Sequence, residues 1–104
     1  AHMPKRAPML VIVAAIHRPH PIVRRLEQQL TAGCAVMAMQ LAAFARGYGS
    51  IWRSGWPMFD RNLHAALGLA EDDQIVGFLY LGTPVPQSRT PLEPIDVENF
   101  VQRL

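Results

Sequence analysis

Between Ala32 and Ala45 the only strongly polar side chain is Gln40. A stretch so short of polar groups must be covered by something in the folded state. Leu26, Leu30, Cys34, Met37, Leu41 and Phe44 follow at intervals of four, four, three, four and three, the period of an α-helix. Gly33 and the alanines between them would let other elements approach closely. A helix apolar on nearly every face is expected to be buried on nearly every face. It is too short for a membrane span, which needs roughly 18 or more apolar residues, whereas about 14 suits a core helix.

The helix is expected to begin near Pro21 or Ile22, because proline is tolerated in a first turn. It is expected to stop at Gly47, a residue free to take positive φ. Arg46 then faces the negative end of the helix dipole. Gly47-Tyr48-Gly49-Ser50 and Ile51-Trp52-Arg53-Ser54-Gly55 follow, so the helix delivers a Trp-Arg-Ser cluster at its far end.

A chain of 104 residues has room for one domain, and its 50% hydrophobic content is ordinary for a globular protein and high for a disordered one. The single cysteine, Cys34, excludes an internal disulfide and points to a reducing, cytoplasmic compartment. Its apolar neighbours suggest inert packing rather than a reactive thiol. No secretory signal is expected, since the apolar Met9–Ile16 follows Pro8 and lacks a cleavage site. Ala1-His2-Met3 reads either as the remnant of a cloning site or as native sequence. The formal net charge of +2 is unevenly placed: seven basic residues against Glu27 up to Ser54, then three against seven acids. The basic residues are scattered rather than interleaved with aromatics, which argues against nucleic acid.

Along the chain, Met9–Ile16 reads as a strand buried on both faces. His17 and His20 flank Pro19, and with Cys34 they match no zinc spacing, so loop histidines are expected and no metal. Ser50–Arg53 reads as a short strand. A modest helix spans about Phe59 to Leu67, closed by Gly68, with Leu63, Ala66 and Leu67 inward and His64 facing solvent. Ile75–Leu81 is the second long apolar strand. The proline-rich tail from Val85 to Leu104 cannot pack a core of its own, and Asp96–Leu104 is suited to dock as an arm on a partner. The alternation of strands and helices taken alone suggests a parallel sheet. Three strands and one long helix would leave apolar surface uncovered, which points to a tight oligomer or to part of a larger domain.

No catalytic triad, phosphate loop, zinc signature or carboxylate pair is present in the sequence. Trp52-Arg53-Ser54 remains. Arginine supplies planar donors for a phosphate, serine adds a hydroxyl, and tryptophan offers a flat wall for a ring system. A core tryptophan beside a surface arginine is the plainer alternative on residue types alone.

Four blocks in order change that balance: Arg6 to Val13, Ala32 to Gln40, Gly49 to Gly55, and Ile75 to Pro84. Together they resemble the C-terminal half of the nitroreductase family, and above all its short bacterial NAD(P)H nitroreductase-like members. The resemblance implies an α+β fold with helices around a mixed, largely antiparallel sheet, in place of the parallel one. It implies one nitroreductase domain of which residues 1–104 form the C-terminal portion. It further implies a cytoplasmic homodimer with the long helix in its core and FMN at the subunit interface. Trp52, Arg53 and Ser54 match the FMN-binding segment, with Arg53 the phosphate contact. Ala42, Ala43, Phe44, Ala45, Arg46 and Gly47 match a segment associated with NAD(P)H. In such enzymes hydride passes from NAD(P)H to the flavin and on to a nitroaromatic or quinone-like acceptor. Because the flavin carries the chemistry, no side-chain acid or nucleophile is required.

The family's N-terminal half, with its Arg-Arg-Ser phosphate contact, has no counterpart in these residues. A truncated chain of this kind is expected to hold FMN weakly, and a non-catalytic dimerising fragment without cofactor is the alternative. No membrane association is expected.

Overall fold

A computed structural model describes residues 6–86 and 90–104. The element order is β1 (Met9–Ala15), α1 (Arg25–Ala45), β2 (Gly49–Arg53), α2 (Arg61–Ala66) and β3 (Gln74–Gly82). A 3-10 turn at Trp56–Phe59 precedes α2, and another at Val97–Phe100 lies in the tail. The strands form one sheet in the order β1-β3-β2, antiparallel at both pairings. This corrects the parallel arrangement suggested by alternation alone, and the residues joining the strands show why. The α2 segment is a six-residue helix, too short for a crossover, and β3 returns between the two earlier strands.

Central β3 is the most buried element, with Ile75 and Leu79 fully enclosed and Phe78 and Tyr80 nearly so. Ile75, Phe78 and Tyr80 pack with Leu10, Ile12, Met58 and Leu63 into the core. Edge strand β1 is half-buried between exposed Met9 and buried Ala15, so it is not covered on both faces as its composition suggests. An edge strand in a sheet of three has only one neighbour to hide it.

Helix α1 begins at Arg25, later than Pro21. His20 explains the delay, because its Nδ1 accepts the N–H groups of Ile22 at 3.1 Å and Val23 at 2.9 Å and holds them in a turn. The helix opens instead where the Glu27 carboxylate accepts the Arg24 N–H at 2.7 Å. It closes after Ala45, with Gly47 at φ 82°.

The burial of α1 differs most from expectation. Val36 is the one buried residue of the helix, beside half-buried Gln29, Ala32, Gly33, Met39, Gln40 and Ala43. The regular stripe of Leu26, Leu30, Cys34, Met37, Leu41 and Phe44 faces away from the sheet, with Leu41 63% and Phe44 78% exposed. Val36, Met39, Gln40 and the small residues beside them turn inward, while the large stripe residues stay largely exposed, Leu30 and Met37 bordering Trp52 and Met58 at one edge.

At the far end of the sheet, Asp60 caps α2 by accepting the Asn62 N–H, and Gly68 closes it at φ 75°. His64 is buried rather than solvent-facing. Its Nδ1 lies 2.7 Å from the Asp60 carbonyl and its Nε2 accepts the Ile75 N–H at 3.3 Å. Ala66 and Leu67, expected inward, are exposed. Six residues offer one buried stripe, and Leu63 and His64 fill it.

Candidate functional site

The pleat of β2 sorts the Trp-Arg-Ser cluster. Ser50 and Trp52 face α1: Gln40 Nε2 lies 3.4 Å from Ser50 Oγ, and the Trp52 ring lies beside Gly33. Alternation turns Ile51 and Arg53 to the opposite face. Their register partners Tyr80 and Phe78 stand on that same face.

There a cleft of about 580 Å³ opens between the end of β2, the end of β3 and the segment leading into β1. Arg53 and Ser54 line it from one side, Arg6 and Pro8 from another, and Tyr80 with Gly82 to Val85 complete it. Close backbone approach narrows its wall: a Cβ on Gly49 would lie 3.2 Å from Pro84 Cβ, and one on Gly82 would lie 2.9 Å from Pro8 Cδ. Among the described residues the ion pairs are Arg25 with Asp72 and Arg103 with Glu98, so neither cleft guanidinium is neutralised by a carboxylate. Two unpaired guanidiniums and a hydroxyl around one concavity suit a phosphate monoester. The volume lies in the range of cofactor pockets. The residues present therefore fit the phosphate-bearing end of a flavin nucleotide.

Arg53 and Ser54 meet in this cleft, and Trp52 does not line it. Trp52 instead borders a separate apolar cleft with Leu30, Gly33, Met37 and Met58, continuous with the exposed stripe of α1. Ala42, Ala43, Phe44, Ala45, Arg46 and Gly47 do not reach the first cleft either. Ala43 turns toward the sheet, while Phe44, Arg46 and Gly47 lie open at the end of α1. Arg6 was missed by sequence reasoning. Its signal was the antiparallel return of β3, which brings Thr83 and Pro84 beside the entry to β1.

A second polar cluster lies at the other end of the sheet. Asp73 accepts the N–H groups of Ala70 at 2.7 Å and His17 at 2.9 Å. Those two backbone donors, with His17 and His64 nearby, hold its carboxyl below the usual aspartate value. Arg61 donates to the carbonyls of Asp73 at 3.0 Å and Glu71 at 3.3 Å and to Gln74 Oε1 at 3.2 Å. Among the described residues no group of acids, histidines and Cys34 is arranged to hold a metal. Nor is any described helix long and apolar enough to cross a membrane.

The Nitroreductase family profile matches residues 1–83. YdjA of Escherichia coli strain K12, provisionally named an NAD(P)H nitroreductase, is 48% identical over 98 residues, covering 94% of this chain and 54% of the relative. A Haemophilus influenzae protein with the same provisional name is 36% identical over 100 residues, again 54% of its own length. A nitroreductase-like family protein from Bacillus cereus superimposes with a TM-score of 0.69 at 25% identity, over 91% of this chain and 50% of that one. A mutant of NfnB, an FMN and NADPH-dependent nitroreductase of sphigopyxis sp. strain HMH, superimposes with a TM-score of 0.68 at 19% identity, over 92% and 42%. The chain spans about half the length of the curated relatives it matches.

Proposed function

The chain belongs to the nitroreductase family and has its α+β fold, and on that premise we propose that it forms the C-terminal portion of an FMN-dependent NAD(P)H oxidoreductase. The observation that carries the proposal is the cleft in which Arg6, Arg53 and Ser54 converge without a neutralising carboxylate. Arg53 and Arg6 hold the phosphate, and Ser54 adds a hydroxyl contact. Bound there, FMN would supply the redox chemistry between NAD(P)H and a nitroaromatic or quinone-like small molecule. Ala42 to Gly47 at the end of α1, exposed apart from half-buried Ala43, are the chain's contribution to nicotinamide binding. A cytoplasmic location rests on the lone Cys34.

The same proposal includes a homodimer. The exposed stripe on α1 supports it, because apolar side chains at helical spacing with no cover inside the chain are the surface a second copy would bury. The described tail residues, 85–86 and 90–104, are exposed throughout, and Asp96–Leu104 docks on the partner.

A second reading is a dimerising fragment that carries no cofactor. The observation favouring it is that the chain spans about half of its relatives, so other contacts to the nucleotide lie outside these residues. Bound flavin separates the two. The purified full-length parent is expected to be yellow and to oxidise NAD(P)H in the presence of a nitroaromatic. A colourless parent that also fails to take up added FMN would end the first reading.

A further inference from the structure

Strand β2 has five residues, lies at the sheet edge and pairs only with β3. Such a strand is weakly held in register, and a slip of one residue would turn Arg53 from the cleft toward α1. Trp52 opposes that slip. Its indole Nε1 donates to the Val76 carbonyl at 3.3 Å, so the ring reaches across β3 instead of stopping at its register partner Leu79. It rests where Gly77 has no side chain: a Cβ there would overlap Nε1 and lie 2.7 Å from Cδ1. The far edge of the ring meets α1, where a Cβ on Gly33 would lie 3.6 Å from Cη2. Gly77 thus makes room for the indole, and Gly33 lets α1 pack against its far edge at ordinary contact distance.

We propose that Trp52 is a positioning residue, locked between Gly77 and Gly33 so that β2 holds Arg53 and Ser54 in the phosphate cleft on the opposite face of the sheet. The inference rests on the reading of that cleft as the FMN phosphate site. It gives Trp52 a different task from a wall for the flavin ring: the indole acts from the side of the sheet that carries α1, through the backbone. The slot is shaped for this ring, since the missing Cβ of Gly77 lies against the part of the indole that carries the N–H.

The test compares FMN with riboflavin, which lacks the phosphate, by titrating each onto the flavin-free full-length parent and following flavin fluorescence. Hydrogen exchange of the β2 amides is measured on the same variants. Arg53→Ala is expected to lower the preference for FMN about tenfold or more, as loss of a charge-assisted phosphate contact should. Trp52→Ala is expected to lower the same preference to a similar degree, with faster exchange along β2 and little change in riboflavin affinity. Trp52→Phe, which keeps a ring in the slot, retains most of the preference. Gly77→Ala reduces it, and Gly77→Ala combined with Trp52→Ala is no worse than Trp52→Ala alone, because both act on one contact. If Arg53→Ala removes the preference while Trp52→Ala leaves preference and β2 protection intact, the positioning role is overturned and the cleft stands. If the unsubstituted parent does not prefer FMN, the phosphate reading falls. β2 protection in Trp52→Ala then decides the positioning role alone: unchanged protection overturns it.

Discussion

The arginines divide by what already occupies their donors. Arg61 spends its guanidinium on the Glu71 and Asp73 carbonyls and the Gln74 side chain. Arg53 and Arg6 face the cleft, and among the described residues neither is paired with a carboxylate. In the intact parent, Arg53→Ala and Arg6→Ala should therefore each weaken FMN by about 1.5–3 kcal/mol, the worth of a charged hydrogen bond. Arg61→Ala should leave FMN affinity alone and lower the unfolding midpoint. Equal affinities for Arg53→Ala and Arg61→Ala would show that Arg53 makes no phosphate contact. Asp73 gives a pH signature. Its folded carboxyl is held low, chiefly by the Ala70 and His17 N–H groups. A depressed carboxylate stabilises the fold fully above the ordinary aspartate value near pH 4 and loses that effect as pH falls through the lower folded one. Urea unfolding followed from pH 7 down to pH 2 should show this acid-side loss, and Asp73→Asn should flatten it.

At the scale of elements, the outward stripe of α1 is the feature with the largest consequence. Leu30, Met37 and Leu41 stand on one flank and would be buried together by a second α1. Removing a buried side chain of this size from water is worth roughly 1.5–3 kcal/mol. Met37→Asp or Leu41→Asp should thus raise the dimer dissociation constant about tenfold or more in sedimentation experiments. An unshifted constant would place the interface elsewhere. The periodicity of that stripe was legible in the sequence, as were the two long strands and the stop at Gly47. What covers the stripe was not, because hydrophobic spacing tells which side chains share a face and not whether the cover belongs to the same chain. Antiparallel order was hidden for a related reason, since sheet direction depends on how the short α2 segment turns the chain back. At the candidate site, residue type puts Arg53 and Ser54 forward, and both line the cleft. Trp52 lies outside that cleft because adjacency in sequence puts neighbours on opposite faces of a strand. Arg6 needed the return of β3, and His64 needed the Asp60 carbonyl and Ile75 N–H that make burial tolerable.

The whole molecule carries more surface than a chain of this mass should. A self-sufficient monomer of 11.6 kDa would expose about 5,800 Å² by the usual scaling, and this chain exposes 8747 Å². The Cα radius of gyration of 17.0 Å likewise exceeds the roughly 13 Å of a compact domain of this length. The surplus area is comparable to an obligate interface, and much of it is apolar: the α1 stripe, together with Leu92, Ile95, Phe100 and Leu104 in the tail. A fold held together by such an interface has a stability inseparable from protomer concentration. Thermal unfolding of the 104-residue chain should therefore show a midpoint that climbs as protein concentration is raised about a hundredfold, because mass action favours the associated state. Met37→Asp should lower that midpoint and flatten its rise, since less of the free energy then comes from association. Removing residues 90–104 should weaken the dependence as well if the tail docks on the partner, while leaving the β1-β3-β2 sheet intact. A midpoint independent of concentration would mean that the chain satisfies its apolar surface alone, and the dimer would have to be abandoned.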